Sequence, residues 1–285
     1  MVESVAITGA GGFVGSRLVV ALATQGWRVY AVTSQPERVS RGPMIKVLRC
    51  DWSREGIEAA FAQAKDAKIW VHTAARVDLA AQDILGLYRD NGLLTNYLVQ
   101  LVAQLGTDTQ FIYLSSISVY GKGQQLSTGV EPRPDTHYGL SKFLGEQSCM
   151  AHLGHRCLVL RLAGVWGREK SPKLFINQCL REAQQGCALK VKGFGNARRN
   201  YLWIGDVSKL ILFANEERWQ GVRLAAGPEA IPIRAMITSM AIRFRVPVQF
   251  AEDPAESESD VIVDSSSGFA ATPFEEALTI EKDLS

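Results

Sequence analysis

Residues 4–15, SVAITGAGGFVG, constrain the fold of this 285-residue chain more than any other stretch. The apolar run at 5–7 predicts a short buried strand, and the apolar spacing at 13, 14, 18, 19 and 22 predicts a helix. Glycines lie between them at positions 9, 12 and 15. A strand, a glycine turn and a helix bring backbone N–H groups and a helix N-terminus together, which suits a diphosphate. The stretch therefore predicts a dinucleotide site, with a turn that binds no ligand as the alternative.

The rest of the first half alternates between strand and helix patterns. Strands are predicted at 27–33, 44–49, 68–73, 110–115, 156–161 and 222–225, and helices at 55–65, 91–105, 138–152, 172–185, 207–215 and 235–245. This alternation predicts an α/β fold, a doubly wound parallel sheet of the Rossmann type. The pattern loosens near residue 165. We therefore expect a dinucleotide-binding domain at 1–163, to which 201–226 return, and a smaller, partly interleaved substrate-binding region at 164–200 and 227–285. The acidic, serine-rich stretch 255–260 predicts a mobile surface loop.

Composition excludes several classes of protein. Hydrophobic residues make up 47% of the chain and charged residues 21%, which predicts a packed globular core. A net charge of +2 predicts neither a nucleic-acid partner nor a membrane surface. No apolar run is as long as a membrane span, and a predicted strand at the very start leaves no room for a signal peptide. The five cysteines form no C-x-x-C pair, so we expect reduced thiols, a cytoplasmic location and no metal site.

Two further motifs carry candidate chemistry. Tyr138 and Lys142 are four residues apart in a predicted helix and so share one face. An ammonium close to a phenol is expected to lower the pKa of the phenol, and such a tyrosine can exchange a proton with a substrate oxygen. Upstream, residues 113–121 (YLSSISVYG) place serine hydroxyls at the end of a strand, where they can polarise a carbonyl. The alternatives are a solvated helix face and serines that cap a turn.

These features occur in an order that resembles the extended short-chain dehydrogenase/reductase superfamily of sugar-nucleotide epimerases, dehydratases and reductases. The resemblance covers nearly the whole chain. It is carried by residues 8–15, 51–52, 72–75, 91, 114–121, 138–142, 161–167 and 199–206.

The resemblance implies a role for each matching residue. The catalytic residues would be Tyr138 as general acid/base, Lys142 as the group that holds the nicotinamide ribose and tunes Tyr138, and Ser116, which would polarise the substrate carbonyl. The dinucleotide would be bound by the segment Gly9, Gly12, Phe13, Val14 and Gly15, with Asp51 and Trp52 at the adenine, Ala74 and Ala75 at the adenosine and its ribose, and Asn91 mainly shaping the adjacent helix. Ser118 and Arg199 would face the substrate, Arg199 at its diphosphate.

The end of the second predicted strand decides between NAD(H) and NADP(H). Enzymes that use NAD usually have Asp or Glu there, which binds the ribose 2′-hydroxyl. This chain has Thr33 and Ser34 instead, followed by Arg38. Hydroxyls and a guanidinium suit a 2′-phosphate, so we expect a preference for NADP(H), with NAD(H) as the alternative.

Three functions remain open at this point. The first is reduction of a keto group by NADPH, with the 4-keto group of a nucleotide-activated deoxysugar as the leading substrate. The second is 4-epimerisation of a nucleotide sugar, and the third is a non-catalytic NADP(H) sensor or interaction module. Ile117 and Ser118 follow Ser116, whereas the family's dehydratases have acidic residues there, which argues against dehydration.

Two departures from the family pattern concern the substrate. Gly164 is found where the family often has an asparagine that holds the sugar nucleotide, and Arg168 replaces a common proline. A ketone without a nucleotide is therefore an alternative substrate. By the same resemblance, the helices at 91–105 and 138–152 would pair across a two-fold axis in a homodimer.

Overall fold

The computed structural model describes residues 3–121, 125–168, 174–251, 260–264 and 268–284. Its centre is a seven-stranded sheet in which every neighbouring pair is parallel. The strands are β1 (Ser4–Thr8), β2 (Arg28–Thr33), β3 (Ile45–Arg49), β4 (Ile69–His72), β5 (Gln110–Ser116), β6 (Cys157–Leu162) and β7 (Gly221–Ala225). Their order across the sheet is β7-β6-β5-β4-β1-β2-β3. The expected doubly wound α/β fold is confirmed.

Helices cover both faces of this sheet. They are α1 (Phe13–Thr24), α2 (Arg54–Ala64), α3 (Ile84–Tyr88), α4 (Leu94–Ala103), α5 (His137–Leu153), α6 (Phe175–Gln184), α7 (Ile204–Glu216), α8 (Ile233–Phe244) and α9 (Phe274–Asp283). The strand order reverses at β1. From β1 the chain continues to β2 and β3 on one side of it, and then returns to its other side as β4. Ligands of such sheets bind in the crevice at this switch point. None of the described helices is long and apolar enough to cross a membrane.

One helix begins differently from the prediction. The pattern at 91–105 predicts a regular helix, but Arg89–Leu93 forms a π-helical turn between α3 and α4. Asn91 lies in this turn and is only 1% exposed. Its side chain accepts a hydrogen bond from Arg76 N (2.8 Å) and donates to Ser141 Oγ (2.9 Å). These bonds explain the wider turn, which α-helical spacing alone does not predict.

The C-terminal part adds short strand pairs and helices beside the sheet. Arg198–Arg199 pairs with Ile231–Pro232, Leu202–Trp203 with Val165–Trp166, Leu189–Lys192 with Val248–Ala251, and Gln125–Leu126 with Ile262–Val263. The apolar residues of α6, α7, α8 and α9 join those of α1 and β1 in one cluster. The boundaries proposed from sequence stay a prediction. Most of the predicted loop at 255–260 lies outside the described residues.

A buried ion pair fixes α5 against the sheet. Arg161 on β6 donates from Nη2 and Nε to the carboxylate of Glu146 on α5, at 2.6 and 3.0 Å. Their side chains are only 6% and 2% exposed. Ser115 Oγ also donates to this carboxylate, and Arg161 Nη1 donates to Tyr120 Oη (2.8 Å). Because Tyr138 and Lys142 lie on the same helix, this network sets their position relative to β5.

We predict that Arg161→Leu destabilises the protein by about 3–5 kcal/mol, because the Glu146 carboxylate would then be buried without a cation. Urea denaturation followed by circular dichroism measures the change. The exposed pair of Arg133 and Glu131 provides a control. Arg133→Leu is expected to change stability by less than about 1 kcal/mol, and an equal loss in the two variants would contradict the role given to the buried pair.

Candidate active site

The glycine turn after β1 is built for close backbone contact. Gly9 has φ +71°, and a Cβ there would come within 2.6 Å of Ala74 N. A Cβ on Gly15 would lie 2.3 Å from Gly9 O. Gly12 caps α1 without any side-chain hydrogen bond to the helix N–H groups. The turn thus leaves the start of α1 open to a ligand, as a diphosphate site requires.

Two cavities of about 740 and 720 Å³ meet at this turn. Both are lined by Gly12, Gln35, Thr73 and Ala75, so they are parts of one cleft. We call the 740 Å³ part the β2–β3 end and the 720 Å³ part the β5 end.

The β2–β3 end is lined by eight of the fifteen residues predicted to bind the dinucleotide. They are Gly9, Gly12, Thr33, Ser34, Asp51, Trp52, Ala74 and Ala75. Asp51 accepts hydrogen bonds from Ser53 N (2.9 Å) and Ser53 Oγ (2.7 Å), which shape the turn after β3. Trp52 in this turn has φ +64°, a left-handed conformation that is costly for a large side chain. Sequence reasoning missed Arg76, Arg89 and Asp90, which also line this end.

Other predicted residues lie elsewhere. Phe13, Val14, Gly15 and Arg38 line the β5 end instead. Asn91 lines neither cavity, and its bonds to Arg76 and Ser141 join the loop after β4 to α5. Its geometry is that of a structural support beside the cleft, in keeping with the helix-shaping role implied by the resemblance.

The three predicted catalytic side chains come together at the β5 end. Ser116, Tyr138 and Lys142 all line it, together with Ser118. Ser116 Oγ donates to Ser118 Oγ at 3.0 Å, and the Ser116 hydroxyl is near enough to Tyr138 to lower its pKa. α5 begins at this point because the Thr136 side chain accepts from Gly139 N (3.0 Å). A substrate oxygen between Ser116 and Tyr138 would meet two hydroxyl groups.

The expected lowering of the Tyr138 pKa by Lys142 is wrong for this structure. Burial raises the pKa of Tyr138 to about 12, and the nearby Ser116 hydroxyl opposes this only in part. Burial also lowers the pKa of Lys142 to about 8, against the pull of Glu146. The physical reason is that burial penalises the charged form of both groups, phenolate and ammonium alike.

A buried histidine lies near Lys142. Burial and the Lys142 charge lower the pKa of His72 to about 3, so its ring is neutral. It is hydrogen-bonded to Thr8 Oγ1 (2.7 Å) and Thr95 Oγ1 (3.1 Å). With both ring nitrogens engaged, His72 is a structural group rather than a candidate base.

The substrate side of the β5 end explains one departure from the family pattern. A Cβ on Gly164 would lie 2.6 Å from two ring carbons of Tyr201, so the tyrosine ring occupies the space that a side chain at 164 needs. Tyr201 and Arg199 both line the cavity, and the Arg199 charge opposes the rise in the Tyr201 pKa that burial causes. Sequence reasoning singled out Arg199 and missed Tyr201, although the two are separated by one residue.

The residues present fit a nicotinamide dinucleotide. The glycine cradle has no space for a Cβ at Gly9 or Gly15, and the cleft runs from it to both Asp51 and Tyr138. Within the described ranges, no group of three or more His, Cys, Asp or Glu side chains is placed to hold a metal ion.

A parallel sheet with this cradle, and with Ser116, Tyr138 and Lys142 in one cleft, defines an enzyme of the extended short-chain dehydrogenase/reductase type with a nicotinamide cofactor. The family model for the NAD dependent epimerase/dehydratase family matches residues 5–225, more than half of the chain. The chain belongs to this family.

Individual relatives agree with this assignment. A putative UDP-glucose 4-epimerase of Methanocaldococcus jannaschii is 24% identical over 239 residues, which cover 78% of this chain and 77% of that protein. ADP-L-glycero-D-manno-heptose-6-epimerase of Cupriavidus pinatubonensis is 27% identical over 230 residues, 74% of this chain and 68% of that protein. The structure of MoeE5 in complex with UDP-glucuronic acid and NAD is similar in fold, with a TM-score of 0.85 at 23% identity over 99% of this chain and 98% of that chain.

Lys142→Met is predicted to stabilise the cofactor-free protein below pH 8 by about 1–3 kcal/mol. Between about pH 8 and 10.5 the unfolded chain binds more protons at this lysine than the folded chain does, so wild-type stability rises with pH in that range. The gain should therefore be fully present below pH 8 and vanish above about pH 10.5. Urea denaturation across this range measures it, with the exposed Lys65→Met as control. A gain independent of pH would contradict the burial penalty on the ammonium.

Proposed function

We propose that this enzyme is an NAD(P)-dependent 4-epimerase of a nucleotide sugar. The observation that carries the proposal is the continuous cleft. Ser116, Tyr138, Lys142 and Arg199 line its β5 end, which adjoins the glycine cradle, and a guanidinium is a suitable partner for a diphosphate. The named relatives act, by their descriptions, on UDP-glucose and on an ADP-activated heptose, which supports this substrate class.

The protein's own residues would carry out the proton transfer. Ser116 donates a hydrogen bond to the sugar C4 oxygen, and Tyr138 takes the proton of the 4-hydroxyl or returns it to the 4-keto oxygen. The cofactor, when bound, supplies a nicotinamide that accepts and returns a hydride and whose positive charge in the oxidised form favours the phenolate. Lys142 adds a second positive charge next to Tyr138. Epimerisation then requires the 4-keto sugar to present its other face before it is reduced.

The lining of the cleft argues against dehydration. Among the described residues that line the β5 end there is no carboxylate, and Ile117 and Ser118 follow Ser116. Elimination of water would need a further acid/base pair at this position. Oxidation and reduction at a single carbon need only the groups that are present.

The second candidate is reduction of a 4-keto sugar nucleotide by NADPH. Ser34 lines the β2–β3 end and Arg38 the β5 end of the cleft, and both are exposed. Their hydroxyl and guanidinium groups support a preference for NADP(H), which suits a cofactor consumed as a reductant.

Tyr138→Phe should lower turnover by about 10²–10⁴-fold, because the variant keeps the ring and loses the proton-transfer group. The assay follows interconversion of UDP-glucose and UDP-galactose by chromatography, with other nucleotide sugars as a panel. Binding of NAD⁺ by calorimetry should be unchanged, and Tyr97→Phe, at a tyrosine paired with Glu58, serves as control. Retained turnover in Tyr138→Phe would reject the assignment, whereas NADPH oxidation by a 4-keto sugar nucleotide without epimerisation would favour the second candidate.

The cofactor preference has its own test. If Arg38 binds a 2′-phosphate, Arg38→Ala should weaken NADP⁺ binding by about 10–100-fold and leave NAD⁺ binding unchanged. Arg41→Ala is the matched control, since Arg41 is exposed and its hydrogen bond to Pro36 O is long (3.5 Å). Isothermal titration calorimetry of both cofactors measures the effect. Tighter binding of NAD⁺ than of NADP⁺ by the wild type would refute the preference.

We also propose a homodimer. Leu93, Leu140 and Leu144 are 68%, 39% and 43% exposed, and they lie in the π-helical turn before α4 and on α5. An exposed apolar face of this kind fits helix pairing between two copies of the chain. Light scattering is expected to give a dimer for the wild type and a monomer for Leu144→Glu. A cytoplasmic location is likewise a proposal, supported by five free cysteines.

A further inference from the structure

The ring of Tyr113 lies under the ammonium of Lys142. The distance from Lys142 Nζ to the centroid of the ring is 4.1 Å. Tyr113 is fully buried on β5, and Lys142 is only 2% exposed. A cation over an aromatic face in a dry environment is attracted by the ring quadrupole, and the attraction is stronger there than at a wet surface.

Lys142 has few other groups to balance its charge. Among the described residues it forms no salt bridge, and no hydrogen bond from its Nζ is present. Glu146, one turn further along α5, is within electrostatic reach, but its carboxylate is held by Arg161 and Ser115. The ring of Tyr113 is therefore a direct contact that favours the charged form.

The ring is itself held firmly. Tyr113 Oη donates to Lys142 O at 3.4 Å. A Cβ on Gly145 would lie 2.3 Å from Tyr113 Oη, so the tyrosine hydroxyl packs directly against the α5 backbone. The neutral ring of His72 stacks on that of Tyr113 with centroids 5.7 Å apart and an angle of 16°. The tyrosine cannot leave the ammonium without displacing α5 or β4.

We infer that Tyr113 is a positioning residue, which holds the Lys142 ammonium charged and in place beside Tyr138 through its aromatic face. The inference does not depend on which substrate the enzyme takes. It predicts that the electron density of the ring, rather than its volume, sets how easily Lys142 loses its proton.

The test replaces Tyr113 by phenylalanine and then by 4-fluoro-, 3,5-difluoro- and 3,4,5-trifluorophenylalanine. Fluorine weakens the quadrupole while the size of the ring changes little, so the variants should keep the fold, which circular dichroism checks. The protein is labelled with ¹³C-lysine, and the Lys142 signal is identified by its loss in Lys142→Arg. NMR titration of the cofactor-free protein then reports the lysine directly.

We expect the Lys142 pKa to fall with each fluorine, by about one unit from phenylalanine to the trifluoro ring. Other groups near Lys142 stay the same through the series: His72 on β4, Glu146 and Cys149 on α5, and Tyr138, which lines the same cavity. The same trifluoro ring at Phe111, which also stacks on His72, should leave Lys142 unchanged.

A Lys142 titration that does not respond to fluorination at 113, or that responds equally at 111, overturns the inference. This readout needs no substrate, so it is independent of the proposed epimerase activity. With an active substrate in hand, the alkaline limb of the kcat profile should move to lower pH in the same order. If the wild type shows no activity on any nucleotide sugar, the proposed function is rejected, whereas the titration result is unaffected.

Discussion

The contact between α5 and the strands β5 and β6 is the constraint on which the active site depends. Arg161 and Glu146 are buried together, and Ser115 and Tyr120 satisfy their remaining hydrogen-bonding atoms. A buried pair of this kind adds little net stability, but separating the two partners would leave a buried charge uncompensated. The pair therefore fixes how α5 lies against β6. One turn of α5 before Glu146 comes Lys142, and one turn earlier Tyr138. The position of the reacting groups thus follows from an ion pair that is not itself part of the chemistry.

Burial in this site destabilises the charged forms of both Lys142 and Tyr138. Burial lowers the pKa of Lys142 and raises that of Tyr138, so the cofactor-free protein holds an ammonium that would be more stable in water and a phenol that resists ionisation. Partial compensation comes from the ring of Tyr113 and the more distant Glu146. The ribose hydroxyls of a nicotinamide nucleotide would accept hydrogen bonds from the ammonium, and the positive charge of the oxidised nicotinamide would favour the phenolate. Pre-organised electrostatics of this kind favour charge that develops during a reaction.

Much of the fold could be predicted from the sequence because its signals are local. The seven strands of the sheet follow from short apolar runs, and the glycine turn follows from spacing. The π-helical turn at Asn91 could not be predicted, since it depends on bonds to Arg76 and Ser141, which are 15 and 50 residues away. The helices α3 and α9 were missed as well. α3 is only five residues long, too short for an apolar period. α9 does have buried apolar residues at helical spacing, namely Phe274, Ala277 and Leu278, so its pattern was available in the sequence and was overlooked.

The sequence alone determined the family, the cradle and the three catalytic candidates, because each rests on residue types at fixed spacing within one or two elements. Tertiary structure decided the rest. It showed that burial raises the pKa of Tyr138, that Tyr201 fills the space beside Gly164, and that Tyr113 lies under Lys142. These facts depend on the distance between groups on different elements and on how deeply each group is buried. Neither quantity is set by spacing along the chain, because both arise only when the sheet and its helices pack.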